Sequence, residues 1–233
     1  MKLAIMQPYF LPYIGYFQLI NTADEFVVLD DVNYINRGWI NRNRVLINGQ
    51  AKYITVPLKD ASQNKLIDEI DIVDDKTWRN SLLKTIEMSY KKTLMFDDVF
   101  PMLKKIIEFE DTNLSRFILN SIKQITNYLS IDTKIVDSSR EFDKKGLKAE
   151  ERILDICLTE KASTYINPIG GLELYHKELF KSHNVDLFFQ KTQIKEYKQL
   201  KTTEFVPYLS ILDVLMNCEK AEVSDFLTNF ELI

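Results

Sequence analysis

The sequence contains few residues of the types that build metal sites and disulfide frameworks. Of 233 residues, only two are cysteines and two are histidines. Cys157 and Cys218 cannot form a disulfide framework, and nothing near them has metal-ligand spacing. His176 and His183 are seven residues apart, about 10 Å along a helix, which is too far to share a metal. We therefore predict no metal site and expect both histidines at the surface.

Long hydrophobic runs are also missing. No stretch approaches the roughly 20 apolar residues that span a bilayer. The opening MKLAIMQPYF reaches Pro8 before it can become a signal-peptide core. We expect no membrane span and a cytoplasmic protein.

The charges of the chain nearly balance. Thirty basic residues and 34 acidic residues give a net charge of −4, which argues against a nucleic-acid partner but not against a local basic pocket.

Three common catalytic and cofactor motifs are absent. The chain has no G-x-S-x-G nucleophile elbow, no Walker A sequence and no G-x-G-x-x-G fingerprint. Hydrolase, P-loop and dinucleotide-binding interpretations therefore have no support from motifs.

Glycine and proline are scarce, at six each, and ten of these twelve residues lie in the first quarter or the last third of the chain. Segments 7–15 and 167–171 each contain three glycine or proline residues, whereas 59–158 contains only Pro101 and Gly146. Glycine permits unusual backbone conformations and close ligand approach, and proline fixes φ. The two segments are either ordinary turns or built loops, and we favour loops that carry function.

The order of the elements predicts an α/β fold. Strand Lys2–Met6, helix Tyr13–Ile20 and strand Glu25–Leu29 imply a parallel pair with a crossover helix. A hairpin turns at Asn48-Gly49. Later helices are predicted at Thr77–Tyr90, Phe100–Phe109, Asn113–Leu129, Leu147–Leu158, Gly171–His183, Leu209–Asn217 and Ala221–Phe230, and later strands at Lys134–Val136, Ser163–Ile166 and Val185–Phe189.

This pattern predicts a parallel-sheet core of the Rossmann-like kind, with a β-hairpin and a helical insertion. Residues 1–60 and 132–233 would form the core domain, and residues 61–131 the insertion.

The first candidate site segment is MQPYFLPYIGYFQL. It leaves the carboxyl end of the first strand, where ligands bind in open α/β sheets and helix N-termini offer free N–H groups. We predict phosphate or carboxylate binding here, with Gln7 as a catalytic contact. The other binding residues predicted in this segment are Pro8, Tyr9, Tyr13, Gly15 and Tyr16.

The second segment, LDDVNYINRGWINRNRV, begins with two carboxylates. Side chains alternate along a strand, so only one of Asp30 and Asp31 is expected to face the pocket, and we favour Asp31. A carboxylate there could bind Mg²⁺, accept a proton from an amine or hydrogen-bond a ribose.

Three arginines follow in the same segment, interleaved with amides and a tryptophan. They form either an anion site or a solvated hairpin edge whose ion pairs contribute little. Arg42 is the predicted catalytic contact. The predicted binding residues here are Asp30, Arg37, Trp39, Asn41, Asn43 and Arg44.

The third segment is TYINPIGGLELYHKELF. Asn167, Gly170 and Gly171 are expected to form a tight loop before a helix that begins at Gly171, which would give a second anion contact.

Together, MQPYFLPYIGYFQLI, VVLDDVNYINRGWINRNR, YINPIGG and FVPYLSILDVL resemble the WbqC-like protein family. The resemblance covers almost the whole chain. It implies an association with bacterial O-antigen (lipopolysaccharide) and other surface-polysaccharide gene clusters, and a glycine-transferase role on sugars. The positions carried over are Gln7, Pro8, Gly15, Asp30, Asp31, Trp39, Asn41, Arg42 and Asn43.

A more distant resemblance is to the nucleotidyltransferase-type (HUP) architecture. Where that family has a His-x-Gly-His motif, this chain has Tyr13-Ile14-Gly15-Tyr16. Phenols carry no positive charge at neutral pH, so phosphate contacts would shift to backbone N–H groups and the three arginines. ATP with Mg²⁺ stays a candidate cofactor on this resemblance alone.

Two functions follow as hypotheses. The favoured one is a transferase or ligase that attaches an acyl or aminoacyl group, such as glycine, to a nucleotide-linked amino sugar. Asp31 would act as the base, Arg42 and Gln7 as oxyanion or phosphate contacts, and Tyr9, Tyr13 and Trp39 as a platform. The alternative is a non-catalytic module that binds a nucleotide or nucleotide sugar. The oligomeric state is left open.

Overall fold

A computed structural model describes all residues, 1–233, and its centre is a six-stranded sheet. The sheet strands are β1 (Lys2–Met6), β2 (Glu25–Val28), β7 (Lys134–Val136), β8 (Thr164–Pro168), β9 (Asp186–Thr192) and β10 (Phe230–Leu232). Their order is β10-β9-β8-β1-β2-β7. Only β10 runs antiparallel to its neighbour. The predicted α/β fold with a parallel sheet is confirmed.

The order of the strands creates a crevice. From β1 the chain passes through a helix to β2 on one side, whereas β8 lies directly against the other side of β1. In open α/β sheets, ligands bind at the carboxyl ends of the strands where the order reverses in this way. In this molecule that point lies between β1 and β8.

Eight helices surround the sheet. They are α1 (Ile14–Thr22), α2 (Lys76–Tyr90), α3 (Phe96–Ile107), α4 (Leu114–Tyr128), α5 (Ala149–Thr159), α6 (Lys177–Ser182), α7 (Ile211–Asn217) and α8 (Lys220–Leu227). Helices α2, α4 and α7 each have an N-cap side chain. Asp75, Asn113 and Ser210 accept hydrogen bonds there from backbone N–H groups of the first turn. None of these helices is long and apolar enough to cross a membrane.

Two small antiparallel hairpins complete the fold. The first joins β3 (Arg42–Ile47) to β4 (Gln50–Thr55). Its turn has φ of 53° at Asn48 and 75° at Gly49, the paired positive values that make Asn-Gly a hairpin turn. The second joins β5 (Leu58–Lys59) to β6 (Asp71–Ile72).

Alternating strand residues divide the hydrophobic core into two parts. Ala4 and Phe26 face a cluster of 46 buried residues, while Leu3, Ile5 and Val27 face a cluster of 15 on the other side of the sheet. Helices α2, α3 and α4 contribute to the larger cluster together with α1 and the first hairpin. The division of the chain at 60 and 132 stays a prediction.

One predicted helix begins later than expected. Residues Ile169–Gly171 form a single 3₁₀ turn, and α6 starts only at Lys177 and has six residues. The expected helix N-terminus at Gly171 is therefore wrong, and no row of free helical N–H groups follows that loop.

Candidate functional site

The carboxyl ends of β1 and β8 open into two adjoining hollows that share one side chain. Tyr9, three residues after β1, lines both of them. We call them the aromatic hollow and the apolar hollow after their walls. The loops 7–15 and 167–171, which are rich in glycine and proline, therefore meet the first hairpin at one edge of the sheet.

The aromatic hollow has a volume of about 340 Å³. Trp39 and Tyr208, which are 41% and 55% exposed, present their rings to solvent at this site. Such faces stack on sugars and on nucleobases. The complete lining is Tyr9, Pro12, Tyr13, Trp39, Asn43, Arg44 and Tyr208.

Arg44 is the single cation in the lining of the aromatic hollow. It extends from β3, with its guanidinium carbon 5.9 Å from the centre of the Trp39 ring. One nitrogen donates to the Tyr208 carbonyl at 3.4 Å, while the buried Nε has no hydrogen-bond partner. The remaining nitrogen, Nη1, is not buried and makes no hydrogen bond to the protein, so this guanidinium can bind an anionic ligand through it.

Asn43 fixes the loop that forms one wall of this hollow. Its amide nitrogen donates to the carbonyls of Phe10 and Leu11, at 3.3 and 2.9 Å. The Ser210 hydroxyl donates to the same Leu11 carbonyl at 2.7 Å. Leu11 has a φ of 42°, an uncommon conformation for a leucine that surrounding contacts must hold in place. Asn43 therefore shapes the site mainly through the backbone.

The apolar hollow has a similar volume, about 340 Å³. Its polar side chains are the carboxamides of Gln7 and Asn167 and the phenols of Tyr9 and Tyr175; the complete lining is Ile5, Met6, Gln7, Tyr9, Leu29, Ile35, Asn167, Pro168, Gly170, Gly171, Leu174 and Tyr175. The Tyr9 hydroxyl donates to the Gln7 amide oxygen at 3.5 Å, and the Gln7 amide nitrogen donates to no protein atom.

Asn167 and Gly171 build the floor of the apolar hollow. The Asn167 amide oxygen accepts from the Tyr165 hydroxyl, and its nitrogen donates to the Pro168 carbonyl, both at 2.9 Å. A Cβ on Gly171 would lie 1.9 Å from that amide nitrogen. Gly171 is thus required by close packing against Asn167.

Asp31 was predicted as the base, but the structure places it outside both hollows. Its carboxylate is buried and accepts from the Ser139 hydroxyl. Arg152 and Lys144 lie 3.6 and 3.4 Å from its other oxygen. These contacts connect the end of β2 to Ser139, Lys144 and α5, and Asp31 lines neither hollow.

Asp30 is likewise buried and lines neither hollow. It accepts from the hydroxyls of Ser115 and Ser138 at 2.6 and 2.7 Å. Burial raises the pKa of Asp30 above its usual value, although these hydrogen bonds oppose the shift. Neither aspartate lines a hollow, because β2 ends at Val28 and both carboxylates accept hydrogen bonds from serines of distant segments; a role in chemistry for either stays a prediction.

The other hairpin residues also serve the protein's own structure. Arg42 donates to the carbonyls of Arg37 and Gly38 and lies 4.4 Å from the centre of the Tyr53 ring. Asn41 accepts from the Tyr34 hydroxyl and donates to the Val56 carbonyl. Arg42 lines neither hollow, whereas Arg44, predicted as a binding residue, lines the aromatic hollow; the catalytic role predicted for Arg42 stays a prediction.

The start of α1 is covered by protein. A Cβ on Gly15 would lie 2.3 Å from the Thr192 hydroxyl and 2.4 Å from the Tyr13 ring. Tyr16 is buried and donates to the Gln7 carbonyl at 3.0 Å, and Pro8 is buried beside them. These residues hold the loop in shape, and an anion has no access to the helix N-terminus.

Neither hollow is lined by a carboxylate, an imidazole or a thiol. Burial raises the pKa of Tyr9 to about 12 and also raises the pKa of Tyr13. Both phenols are therefore protonated at neutral pH and can donate a hydrogen bond to a ligand. The site offers donors, one cation and aromatic faces.

The chain is similar to known proteins over most of its length. The model of the WbqC-like protein family matches residues 7–225. The chain belongs to the WbqC-like protein family. An uncharacterized protein of Mycobacterium tuberculosis, Rv1507c, is 30% identical over 228 residues, which is 97% of each chain. No solved structure matches.

The residues of this WbqC-like protein do not fit ATP with Mg²⁺ in the manner of the nucleotidyltransferases. The start of α1, where phosphates would lie, is filled by Tyr13 and Thr192 around Gly15. The carboxylates of Asp30 and Asp31 are engaged by serine hydroxyls and by Arg152 and Lys144. No step is therefore assigned to Mg²⁺ at these carboxylates.

Sequence reasoning missed several lining residues of the WbqC-like site: Ile5, Met6, Pro12, Leu29, Ile35, Pro168, Leu174, Tyr175 and Tyr208. Tyr208 carried a usable signal, since it lies in FVPYLSILDVL, one of the segments that resemble the family. Tyr208 follows Pro207 and has a φ of 56°.

The segment that precedes Tyr208 is attached to α7 by hydrogen bonds. The buried carboxylate of Asp213, in α7, accepts from Tyr197 at 2.7 Å and from Gln199 at 3.1 Å.

Proposed function

We propose that this WbqC-like protein binds a nucleotide-linked amino sugar and attaches an acyl or aminoacyl group to its amino group. One observation carries the proposal. A hollow with aromatic walls and the Arg44 guanidinium adjoins a second hollow with the free Gln7 amide, and Tyr9 lines both. Each side suits a different part of such a substrate.

The nucleotide occupies the aromatic hollow in this proposal. Arg44 pairs with a phosphate oxygen through its Nη1, because that nitrogen makes no hydrogen bond to the protein and guanidinium–phosphate hydrogen bonds are strong. Trp39 and Tyr208 supply exposed faces on which a base or a sugar ring stacks. The sugar then reaches toward Tyr9 and the apolar hollow.

The chemistry needs orientation more than a protein base. The amine attacks the acyl carbon, the C–N bond forms, and the bond to the leaving group breaks with its electron pair. An amine with a pKa near 8 is partly unprotonated at neutral pH, so the lost proton can pass to the leaving group or to water. The Gln7 amide nitrogen is available as a donor to the oxyanion, and proximity supplies much of the rate.

The surface-polysaccharide association implied by the family resemblance supports an amino sugar as the acceptor. The alternative, a module that only binds a nucleotide sugar, is favoured by a different observation: no side chain in either hollow can accept a proton readily. Both functions use the same ligand and differ only in turnover.

Product mass distinguishes the two functions. Purified protein is incubated with dTDP- or UDP-linked amino sugars and an acyl source, either an acyl thioester or a carboxylic acid with ATP. A mass gain on the sugar that disappears in Gln7→Leu, with binding retained, supports the transferase. Tight binding by calorimetry without a mass gain supports the binding module. If no nucleotide sugar binds, both are rejected.

A further inference from the structure

The apolar hollow shows which kind of group would be transferred. We propose that the group is an uncharged, apolar acyl group, of the acetyl or propanoyl type, and not a glycyl group. This inference rests on the proposed function and narrows its donor class. In the same step, the acyl carbon leaves its activating group and becomes bonded to the sugar nitrogen, with its apolar chain in this hollow.

The walls of the hollow carry no charge. Ile5, Met6 and Leu29 come from the ends of β1 and β2, and Ile35 and Leu174 form the rim. Ile35 is 51% and Leu174 is 65% exposed, so the apolar surface continues to the entrance. Removing such surface from water favours binding of an apolar chain.

A glycyl group would bring an ammonium into this hollow. A buried ammonium needs a carboxylate or several free carbonyl oxygens, and without them its burial is costly. The Asn167 amide oxygen accepts from Tyr165 and the Gln7 amide oxygen from Tyr9, so each has one acceptor position left, and neither carries a charge. The Asp31 carboxylate turns instead to Arg152 and Lys144. The lining therefore has no anion for the glycyl ammonium.

A pair of isosteric ligands tests the inference without needing the donor's identity. The N-propanoyl and N-glycyl derivatives of one nucleotide-linked amino sugar differ by a methyl group in place of an ammonium. Calorimetry compares both with the unacylated nucleotide sugar. We expect the N-propanoyl derivative to bind at least about tenfold more tightly than the N-glycyl derivative. Equal or tighter binding of the N-glycyl derivative overturns the inference.

Two variants show whether the difference arises in this hollow. Leu174→Glu adds a carboxylate at the rim, and its exposed position tolerates the change. We expect it to reduce the tenfold preference to about twofold or less. Leu172→Glu, on a side chain 51% exposed that lines neither hollow, is the matched control. An unchanged preference in Leu174→Glu would place the acyl group elsewhere and overturn the inference.

The outcomes also separate this inference from the proposed function. If the unacylated nucleotide sugar binds but the N-propanoyl derivative has no advantage over the N-glycyl derivative, only the apolar-acyl inference fails. If none of the three ligands binds, the proposed function fails, and this inference fails with it.

Discussion

The Arg44 guanidinium carbon lies 5.9 Å from the centre of the Trp39 ring, and its buried Nε has no hydrogen-bond partner. The ring and the Tyr208 carbonyl restrict where this side chain can go. A guanidinium that is already oriented loses less conformational entropy when it binds an anion. This pair of residues is therefore the electrostatic centre of the candidate site.

Removal of the Arg44 charge should weaken nucleotide-sugar binding. A hydrogen bond to a charged group contributes about 1.5–3 kcal/mol, so Arg44→Gln is expected to lower affinity by about tenfold or more in calorimetry. Arg37→Gln is the matched control, because Arg37 is exposed and lines neither hollow. Equal losses in the two variants would contradict the placement of the anion at Arg44.

Gly15 should be required for the position of Tyr13. In Gly15→Ala the new methyl would approach the Thr192 hydroxyl and the Tyr13 ring to 2.3–2.4 Å. We expect a loss of about 1–3 kcal/mol in the free energy of unfolding, with weaker nucleotide-sugar binding because Tyr13 lines the aromatic hollow. Denaturant unfolding measures the first effect. Gly170→Ala, where a Cβ would meet nothing within 4 Å, should leave unfolding within about 0.5 kcal/mol of the parent.

The parts of the fold that depend on neighbouring residues could be predicted from the sequence. The β1-α1-β2 unit follows from a short apolar run, a helix and a second apolar run within 28 residues. The first hairpin follows from Asn48-Gly49 alone, because those two residues accept positive φ. In both cases the signal and the structure lie in the same short segment.

The orientation of Asp31 could not be predicted, since its partners are distant in sequence. Ser139 is 108 residues away, and Arg152 belongs to α5. Alternation along a strand was the wrong guide because β2 ends at Val28. Tyr208 reaches the aromatic hollow through the same kind of long-range packing. The sequence therefore predicted which segments meet more reliably than which side chains face the ligand.

Asp31→Asn should destabilise the fold rather than alter chemistry directly. The variant removes one of two carboxylates beside Arg152, whose side chain is 6% exposed, and leaves Asp155 at 3.9 Å. Because Asp155 still compensates part of the Arg152 charge, we expect a loss of about 1–3 kcal/mol, less than the cost of an ion pair broken completely from one side. Chemical denaturation should show this loss, while nucleotide-sugar affinity measured well below the unfolding midpoint stays within about twofold of the parent. Asp132→Asn, at an exposed position, is the control. Full stability with abolished turnover would instead restore Asp31 as the base.

Tyr90→Phe should destabilise the protein by an amount that depends on pH. The Tyr90 hydroxyl donates to the buried Asp213 carboxylate at 2.6 Å and accepts from the Leu46 N–H at 2.8 Å. Burial raises the pKa of Asp213 above its usual value, and the hydrogen bonds from Tyr90, Tyr197 and Gln199 oppose that shift. Loss of the Tyr90 donor raises this pKa further.

The direction of this pH dependence follows from whether the Asp213 carboxyl group binds its proton more tightly in the folded or in the unfolded state. A carboxyl group with a raised pKa in the folded state stabilises the fold at pH values below its unfolded pKa, and this contribution is lost as pH rises through the folded pKa. The deficit of Tyr90→Phe should therefore be about 2–3 kcal/mol at neutral pH and become smaller as the pH falls through the raised folded-state pKa of Asp213, as measured by urea unfolding at several pH values. Tyr53→Phe, at a ring 52% exposed, should show no such trend. A Tyr90→Phe deficit that is constant across the pH series would mean that the Asp213 carboxylate does not depend on this hydroxyl.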